Sequence, residues 1–525
     1  MAGAQNVRLT WRASGGTELE NAKGVLAVKV SFMRWSLLFL LGGGCTMTYL
    51  RADVRQPAAA GMFYPGDPDE LRETLDQLLS NAPKTEISEP LVAIVSPHAG
   101  YAFSGHVAAQ AYGLLRNREI RRVVVISPCH VEAFRGCAVF DGEGYATPLG
   151  VIPVDKKFCE RLAAKSSRIQ HSNRGHRKGP QGRGEHALEV QLPFLQRMIG
   201  DFELVPIVMG DQKFDTCRAL ATSLAEIIQG TDTLIVASSD LSHFHHYEAA
   251  VELDQRVLRS IERWDYLTLS RNLEMHVWEA CGGGPIVVAM MAAERMGAVD
   301  SRILKYANSG DVPGGDRERV VGYAAAAFSG SKKGQEINLN ALELADEEKR
   351  ELLAISRKSV EMAVTGGELE WNSTDASENL LTEAAVFVTI TRNGHLRGCV
   401  GSVVPIQSLG AAVASAAHSA ALKDTRFPPV KAEELPELAF EISVLSPFRR
   451  VSDAQQVKIG EHGLWIEKGR NQGLLLPQVA TEHNWDRGTF LEQTCVKAGL
   501  PTQAWKEEDT EIYVFSATVF GEKQR

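Results

Sequence analysis

The chain has 525 residues, too many for one ordinary hydrophobic core, so two or three domains are expected. Its composition, 44% hydrophobic and 23% charged with neither Pro nor Gly in excess, is that of a globular protein and excludes the low-complexity classes. A formal net charge of -9 argues against a nucleic-acid binder that works through its overall field, while a local basic patch stays open.

Residues 1–51 show no sustained periodicity and read as an N-terminal extension, disordered or upstream of a true start at Met47. Within them Met33-Arg34 precedes an apolar run over 35–41 that closes on Gly42-Gly43-Gly44-Cys45. That run is far shorter than the ~20 residues of a spanning helix, so no membrane span is expected. A lipoprotein-like signal over 33–45 is the alternative. The eight cysteines are scattered without a Cys-x-x-Cys pair, which suits free thiols in a reducing compartment and places the protein in the cytoplasm.

From residue 91 onward, strand-like and helix-like stretches alternate. Apolar runs at 91–95, 123–126, 202–209 and 234–237 read as strands buried on both faces, with helices at 104–115, 187–199, 214–228 and 247–261 between and after them. This alternation predicts a mainly parallel or mixed, three-layer α/β domain over 52–328. A last strand at 319–328 leads into a Gly- and Lys-containing linker over 329–340. An α+β domain then fills 341–525. It opens with a charged helix at 346–362 and continues as a hairpin of strands 385–391 and 396–403 turning at Asn393-Gly394. A small-residue helix at 407–422 and strands at 439–446 and 511–520 complete it.

Three strands of the first domain end in polar clusters just past their carboxyl ends, delivering His98, His130 and the pair Asp240/His243. Ligands bind at that edge of an open α/β sheet, so these side chains can converge. Glu185-His186 and Cys281 stand at expected helix starts, where the helix N-terminus lowers a thiol pKa. Imidazoles with one thiolate make a site for a borderline or soft transition metal such as iron, copper or zinc. One histidine after a strand ordinarily serves structure, as does one cysteine before a Gly-rich turn; their recurrence is what points to a shared site. The stretch 172–184 carries Arg174, Arg177, Lys178 and Arg183. It reads as a solvated surface loop or, functionally, as a positively charged flap suited to an anionic substrate.

The motifs Arg55-Gln56-Pro57-Ala58-Ala59-Ala60-Gly61-Met62-Phe63-Tyr64-Pro65, Pro97-His98-Ala99-Gly100-Tyr101, Ser127-Pro128-Cys129-His130 and Glu185-His186-Ala187-Leu188-Glu189 resemble the Memo family. Ser238-Ser239-Asp240-Leu241-Ser242-His243, Cys281-Gly282 and Asn308-Ser309-Gly310-Asp311 continue the resemblance in family order. It implies a fold like that of the class III extradiol dioxygenases and a metal held by His98, His130 and Cys281. By the same analogy His186 or His243 serves as acid/base and Asp240 orients an imidazole. The cysteine replaces the carboxylate of the true dioxygenases, which weakens transfer of their reaction. Cys129, beside His130, is a candidate to compete for metal or to oxidise.

In the second domain Leu396-Arg397-Gly398-Cys399-Val400-Gly401-Ser402, Asp424-Thr425-Arg426-Phe427-Pro428-Pro429, Ser443-Val444-Leu445-Ser446-Pro447 and Gly473-Leu474-Leu475-Leu476-Pro477-Gln478 resemble the AMMECR family. Arg397 is a candidate ligand-binding guanidinium, with Gly398 and Gly401 admitting a close approach, and Cys399 is a candidate nucleophile whose ordinary role is a packed residue. Both families resemble components of the AmmeMemoRadiSam system. A separate radical S-adenosylmethionine enzyme is the implied partner, since this chain lacks its Cys-x3-Cys-x2-Cys pattern. The resulting expectation is a metalloprotein with iron or copper, zinc ranking behind, that performs a redox, dioxygenase-like reaction. A metal-binding scaffold or adaptor without catalysis is the alternative, and a zinc-type metal-assisted hydrolase a weaker one; nucleic acid stays open as a substrate.

Overall fold

The computed structural model describes residues 53–522 apart from 83, 84, 86, 180, 331–338, 340, 373, 375, 452 and 508. The extension expected over 1–51, with its signal-like segment, and most of the linker expected over 329–340 lie outside these residues. Residues 51–525 form one compact unit.

The main sheet of the first half has nine strands: β1 (Leu91–Ser96), β2 (Arg122–Pro128), β3 (Cys137–Val139), β4 (Ile169–His171), β5 (Glu203–Met209), β6 (Thr233–Ser238), β7 (Asp240–His245), β8 (Asp300–Asn308) and β9 (Val320–Ser329). Their order is β7-β9-β1-β6-β2-β5-β3-β4, with β8 paired to β9. The centre, β1-β6-β2-β5, is parallel, while β9 and β3 join it antiparallel on either side, so the sheet is mixed. The Val/Ile-rich runs of β1, β2 and β6 are buried at nearly every position, which requires cover on both faces. Chain order differs from sheet order, so β1, β6 and β2 are neighbours and deliver the segments after Ser96, Ser238 and Pro128 to one edge.

Helices α1 (Tyr101–Gly113), α2 (Phe214–Ile228), α3 (Tyr247–Glu262), α4 (Tyr266–Glu274) and α5 (Gly283–Arg295) accompany the sheet. α5 is apolar all round and buried from Gly283 through Glu294, as befits a helix enclosed on every side. The expected helix at 187–199 is instead a 3-10 turn, Glu189–Gln191, followed by Leu192–Ile199. The Glu185 carboxylate accepts the N–H groups of His186 and Ala187 and holds the chain there in a non-helical path. β3, β4, β7 and β8 were not foreseen from sequence; β3 and β4 are three residues each, too short for a periodic signal.

The second half contains two antiparallel sheets. Strands β10 (Ala385–Arg392), β11 (His395–Ser402), β12 (Leu438–Leu445) and β17 (Ala517–Gly521) form one; β13 (Arg449–Arg450), β14 (Gly463–Lys468), β15 (Asn471–Leu475) and β16 (Glu511–Phe515) form the other. The hairpin turn has positive φ at Asn393 (52°) and Gly394 (79°), as the Asn-Gly pair favours. The single strand expected over 511–520 is two strands in different sheets. The chain turns between them at Ser516, whose N–H donates to Ser446 Oγ and whose carbonyl accepts from Ser446 N.

The two halves share apolar core. Phe448, Trp465, Tyr513 and Phe515 join the cluster that contains Trp264, Tyr266 and α5. Buried Arg449 lies over the Trp264 ring and donates to Glu294 Oε1 at 3.2 Å, and Tyr266 donates to the other oxygen of Glu294. Arg295 pairs with Glu511 at 2.9 Å beside them.

Candidate metal centre

His98 follows β1 and is 2% exposed. Its Nδ1 lies 2.9 Å from Ser238 Oγ at the end of β6. The Ser238 hydroxyl has one proton, which it donates to the Ala187 carbonyl at 2.7 Å, so it must accept from His98 Nδ1. The proton on Nδ1 leaves Nε2 as the free lone pair, 3.1 Å from Cys281 Sγ. Asp240 takes a different role from the orienting one expected of it. Its Oδ1 accepts the backbone N–H of His98 at 2.8 Å, while Oδ2 stands 3.9 Å from His98 Nε2.

Cys281 is fixed by backbone. Its N–H donates to the Asp240 carbonyl at 3.2 Å, and its Sγ accepts the N–H of Asp240 at 3.3 Å. Gln212 locks the following turn, donating to the Cys281 carbonyl at 2.7 Å and accepting from Gly284 N at 2.6 Å. Gly282 is required by crowding, since a Cβ there would fall 2.1 Å from the Ser238 carbonyl oxygen.

His130 follows β2. Its Nδ1 donates to Glu185 Oε1 at 3.0 Å, which again leaves Nε2 free. The other carboxylate oxygen accepts the backbone N–H of His130. His186 stacks between Phe63, 4.3 Å away by ring centroids, and His130, 4.9 Å away. The Arg55–Pro65 motif acts as a bracket for this side. Arg55 pairs with fully buried Glu189 at 2.6 Å and donates to the Glu185 carbonyl, while Tyr64 and the N–H groups of Ala58 and Ala59 also donate to Glu189.

The ligand atoms form two groups, each with its atoms within 4.8 Å of one another: His98/His130/His186 and His98/Asp240/Cys281. His98 belongs to both; His130 and Cys281 stand on either side of it and share no such group among the described residues. His243 is in neither. Its Nδ1 donates to the Leu241 carbonyl at 2.8 Å, and it lines with Cys281 a cleft of about 540 Å³. β7 is bulged on both sides of His243, and Phe244 has φ of 64°, so Asp240 and His243 do not follow a regular strand alternation.

Burial, and then the nearby His130, holds the His98 pKa well below the ordinary histidine value. Burial and His98 bring His186 down to about 4. His130 goes the other way: burial works against its charged form, but the Glu185 hydrogen bond and charge outweigh it. Glu185 is held down to about 2, burial being outweighed by the hydrogen bonds it accepts from His130 and Ala187. The thiol of Cys281 departs from expectation. Burial and the Asp240 charge push its pKa well above the ordinary value, despite its place just before α5. Imidazoles that keep a free ring nitrogen around His98, with a thiol on its other side, are the donor set of a borderline or soft metal ion. A bound cation would reverse the electrostatic penalty on the thiolate.

Other sequence candidates fall elsewhere. Cys129 sits against Gly175 and is in neither ligand group. The loop 172–184 is anchored by His176, fully buried between Tyr145 and the Ala138 carbonyl; Arg174 pairs with Glu132 and Arg177 with Asp53. Arg397 is not a free guanidinium: it makes two hydrogen bonds to Glu434, at 2.9 and 3.0 Å, and a third to the Pro428 carbonyl. Gly398 and Gly401 serve packing, since a Cβ at either would fall 2.2 Å from the carbonyl oxygen of Ala420 or Val386. Cys399 is half-buried; its Sγ accepts from Thr389 and its N–H donates to Asp424. Sequence reading missed Ser238 and Glu185 as the groups that orient His98 and His130. Both lay inside quoted motifs, and only the folded partners reveal their part.

Residues 55–327 match the family model described as Memo-like protein, and residues 353–520 match the one described as AMMECR1. A MEMO1 family protein of Methanopyrus kandleri is 34% identical over 285 residues, covering 52% of this chain and 98% of the relative. MEMO1 family proteins of Methanosarcina mazei and Aquifex aeolicus are 37% and 34% identical over 276 residues each, with 52% of this chain and 98% or 99% of the relative covered. Among solved structures, an uncharacterized protein from Pyrococcus horikoshii is 40% identical over 35% of this chain and 95% of its own, with a TM-score of 0.34.

Proposed function

Because this chain belongs to the Memo-like protein family, with an AMMECR1 domain fused behind that part, we propose that its first half is a non-haem metal oxidoreductase with dioxygenase-like chemistry. His98 Nε2, His130 Nε2 and Cys281 Sγ hold the metal, iron or copper before zinc. The observation that carries this reading is the pinning of both histidines through Nδ1, by Ser238 and by Glu185, so that each keeps Nε2 for a ligand. Bound there, iron or copper would supply redox and Lewis-acid chemistry.

The chain's own residues bind, orient and move protons. Asp240 sets the main chain of His98 and, through its own N–H, the position of the thiol. His243 spends Nδ1 on the Leu241 carbonyl and has Nε2 left for substrate, and it lines the cleft beside Cys281, so it is the acid/base. His186 is the weaker base, its pKa already near 4, and packs the wall against Phe63. The partner in this reading is a radical S-adenosylmethionine enzyme of the AmmeMemoRadiSam system, and the seven free cysteines among the described residues suit the cytoplasm.

Oxygen uptake by the metal-loaded full chain, with catechol carboxylates such as protocatechuate as probes, tests the reaction. The expected result is uptake that disappears in a His98→Ala, Cys281→Ala variant and slows roughly a hundredfold in His243→Gln with metal retained. A metal-loaded protein that consumes no oxygen with any catechol would favour the scaffold reading instead.

A further inference from the structure

Two clefts meet along one side of α4. The first, about 540 Å³, holds Cys281 and His243 and is walled by Leu273, Trp278 and Val287. The second, about 160 Å³, lies between the halves: Arg271 and Phe214 face Val404, Phe448, Trp465 and Gln472 of the second domain across it. Ser270 and Glu274, one helical turn apart, line both clefts, and the neighbours Lys213 and Phe214 line one each. The two spaces are therefore adjoining troughs over a single ridge.

The larger cleft has mostly apolar walls, and each cleft holds one cation that is not paired among the described residues. The Arg271 guanidinium and the Lys213 ammonium make no hydrogen bond or ion pair among the described residues. Each of the four carboxylates alongside already has a partner: Asp211 accepts from Gly136 N at 2.6 Å and from Thr216 Oγ1 at 2.7 Å. Glu467 pairs with Arg218 at 2.9 Å, Glu279 with His245 at 3.0 Å, and Glu274 accepts the Phe214 N–H at 2.5 Å.

We propose that the second domain forms part of the substrate site, which takes an elongated apolar molecule bearing one carboxylate or phosphate. The reacting end lies by Cys281 and His243, and the anionic end crosses the Ser270/Glu274 ridge to Arg271, against the Trp465 and Gln472 wall. This rests on the metal-site reading only for which end reacts; the fit of body and charge stands on the clefts themselves. It also gives the fusion a physical purpose, since a wall on a separate chain would have to be docked before each binding event.

Titration calorimetry on the full, metal-free chain tests it with para-phenylbenzoate and its uncharged amide as probes. The carboxylate should bind more tightly than the amide. Arg271→Gln, at a half-buried position without partners, should weaken the carboxylate roughly tenfold and leave the amide unchanged. Gln472→Trp, which fills the cleft from the second domain, should weaken both probes. Metal content should stay at wild-type level in both variants, while His98→Ala, His130→Ala, at residues that line neither cleft, should lose metal and still bind the carboxylate, so a failure of the metal reading is distinguishable. Equal binding of carboxylate and amide by the wild-type chain, absence of binding by either, or an unchanged carboxylate affinity in Arg271→Gln would overturn the proposal.

Discussion

Single groups around the two histidines decide which nitrogen faces the pocket. Ser238 and Glu185 touch no metal in this account, yet each places the proton on a ring Nδ1. Ser238→Ala and Glu185→Gln should therefore keep the fold and lower metal affinity by about 10- to 100-fold, read by competition against a chelator. Unchanged affinity in both would mean that the ring orientations are set by packing alone. Arg55 differs in kind, because it neutralises a carboxylate with no exposure to solvent. Arg55→Ala should cost about 3 kcal/mol of stability in denaturant unfolding, since it leaves Glu189 charged and buried. Gly282→Ala should act on the site through the backbone. The added Cβ meets the Ser238 carbonyl, so Cys281 must move, and metal should be lost while distant structure persists.

At the level of elements, the sequence was most readable where apolar runs were long. The strands that lead into His98, His130 and Asp240, and helix α2 at Phe214–Ile228, follow from their patterns alone. The site's convergence was legible too, because carboxyl ends of neighbouring parallel strands meet at one edge. Sheet order was not, since nothing local says that β6 lies between β1 and β2. The split at Ser516 was equally hidden: a continuous β-prone run crosses it, and only the pairing with Ser446 breaks the strand. The pairing of Arg397 was not legible because its partner, Glu434, lies 37 residues away on a different element. That partnership has a pH signature. Glu434 is held down to about 2, the Arg397 hydrogen bonds outweighing its partial burial, so its stabilising contribution is full above the unfolded value of 4.5 and disappears as pH falls toward 2. Thermal melts across that window should show Glu434→Gln less stable than wild type at neutral pH by about 1 kcal/mol, with the gap closing in acid. A constant gap would place the stabilisation elsewhere.

Across the whole molecule, the halves are joined by core rather than by a tether. Phe448, Trp465 and Phe515 complete the packing beside α5, and Arg449 is buried against Glu294 and Trp264. Calorimetry should show one cooperative transition for the full chain, and Arg449→Ala, which leaves Glu294 buried without its cation, should cost about 3–5 kcal/mol or separate two transitions. The same joint places second-domain side chains beside the cleft that holds Cys281. In the function proposed for this chain, His98, His130 and Cys281 hold a redox metal. The most direct measurement is elemental analysis of anaerobically purified full-length protein, wild type beside the His98→Ala, Cys281→Ala variant. Close to one equivalent of iron or copper is expected in the wild type, with its loss in the variant. No metal in the wild type after reconstitution, or the same metal content in both proteins, would contradict that function.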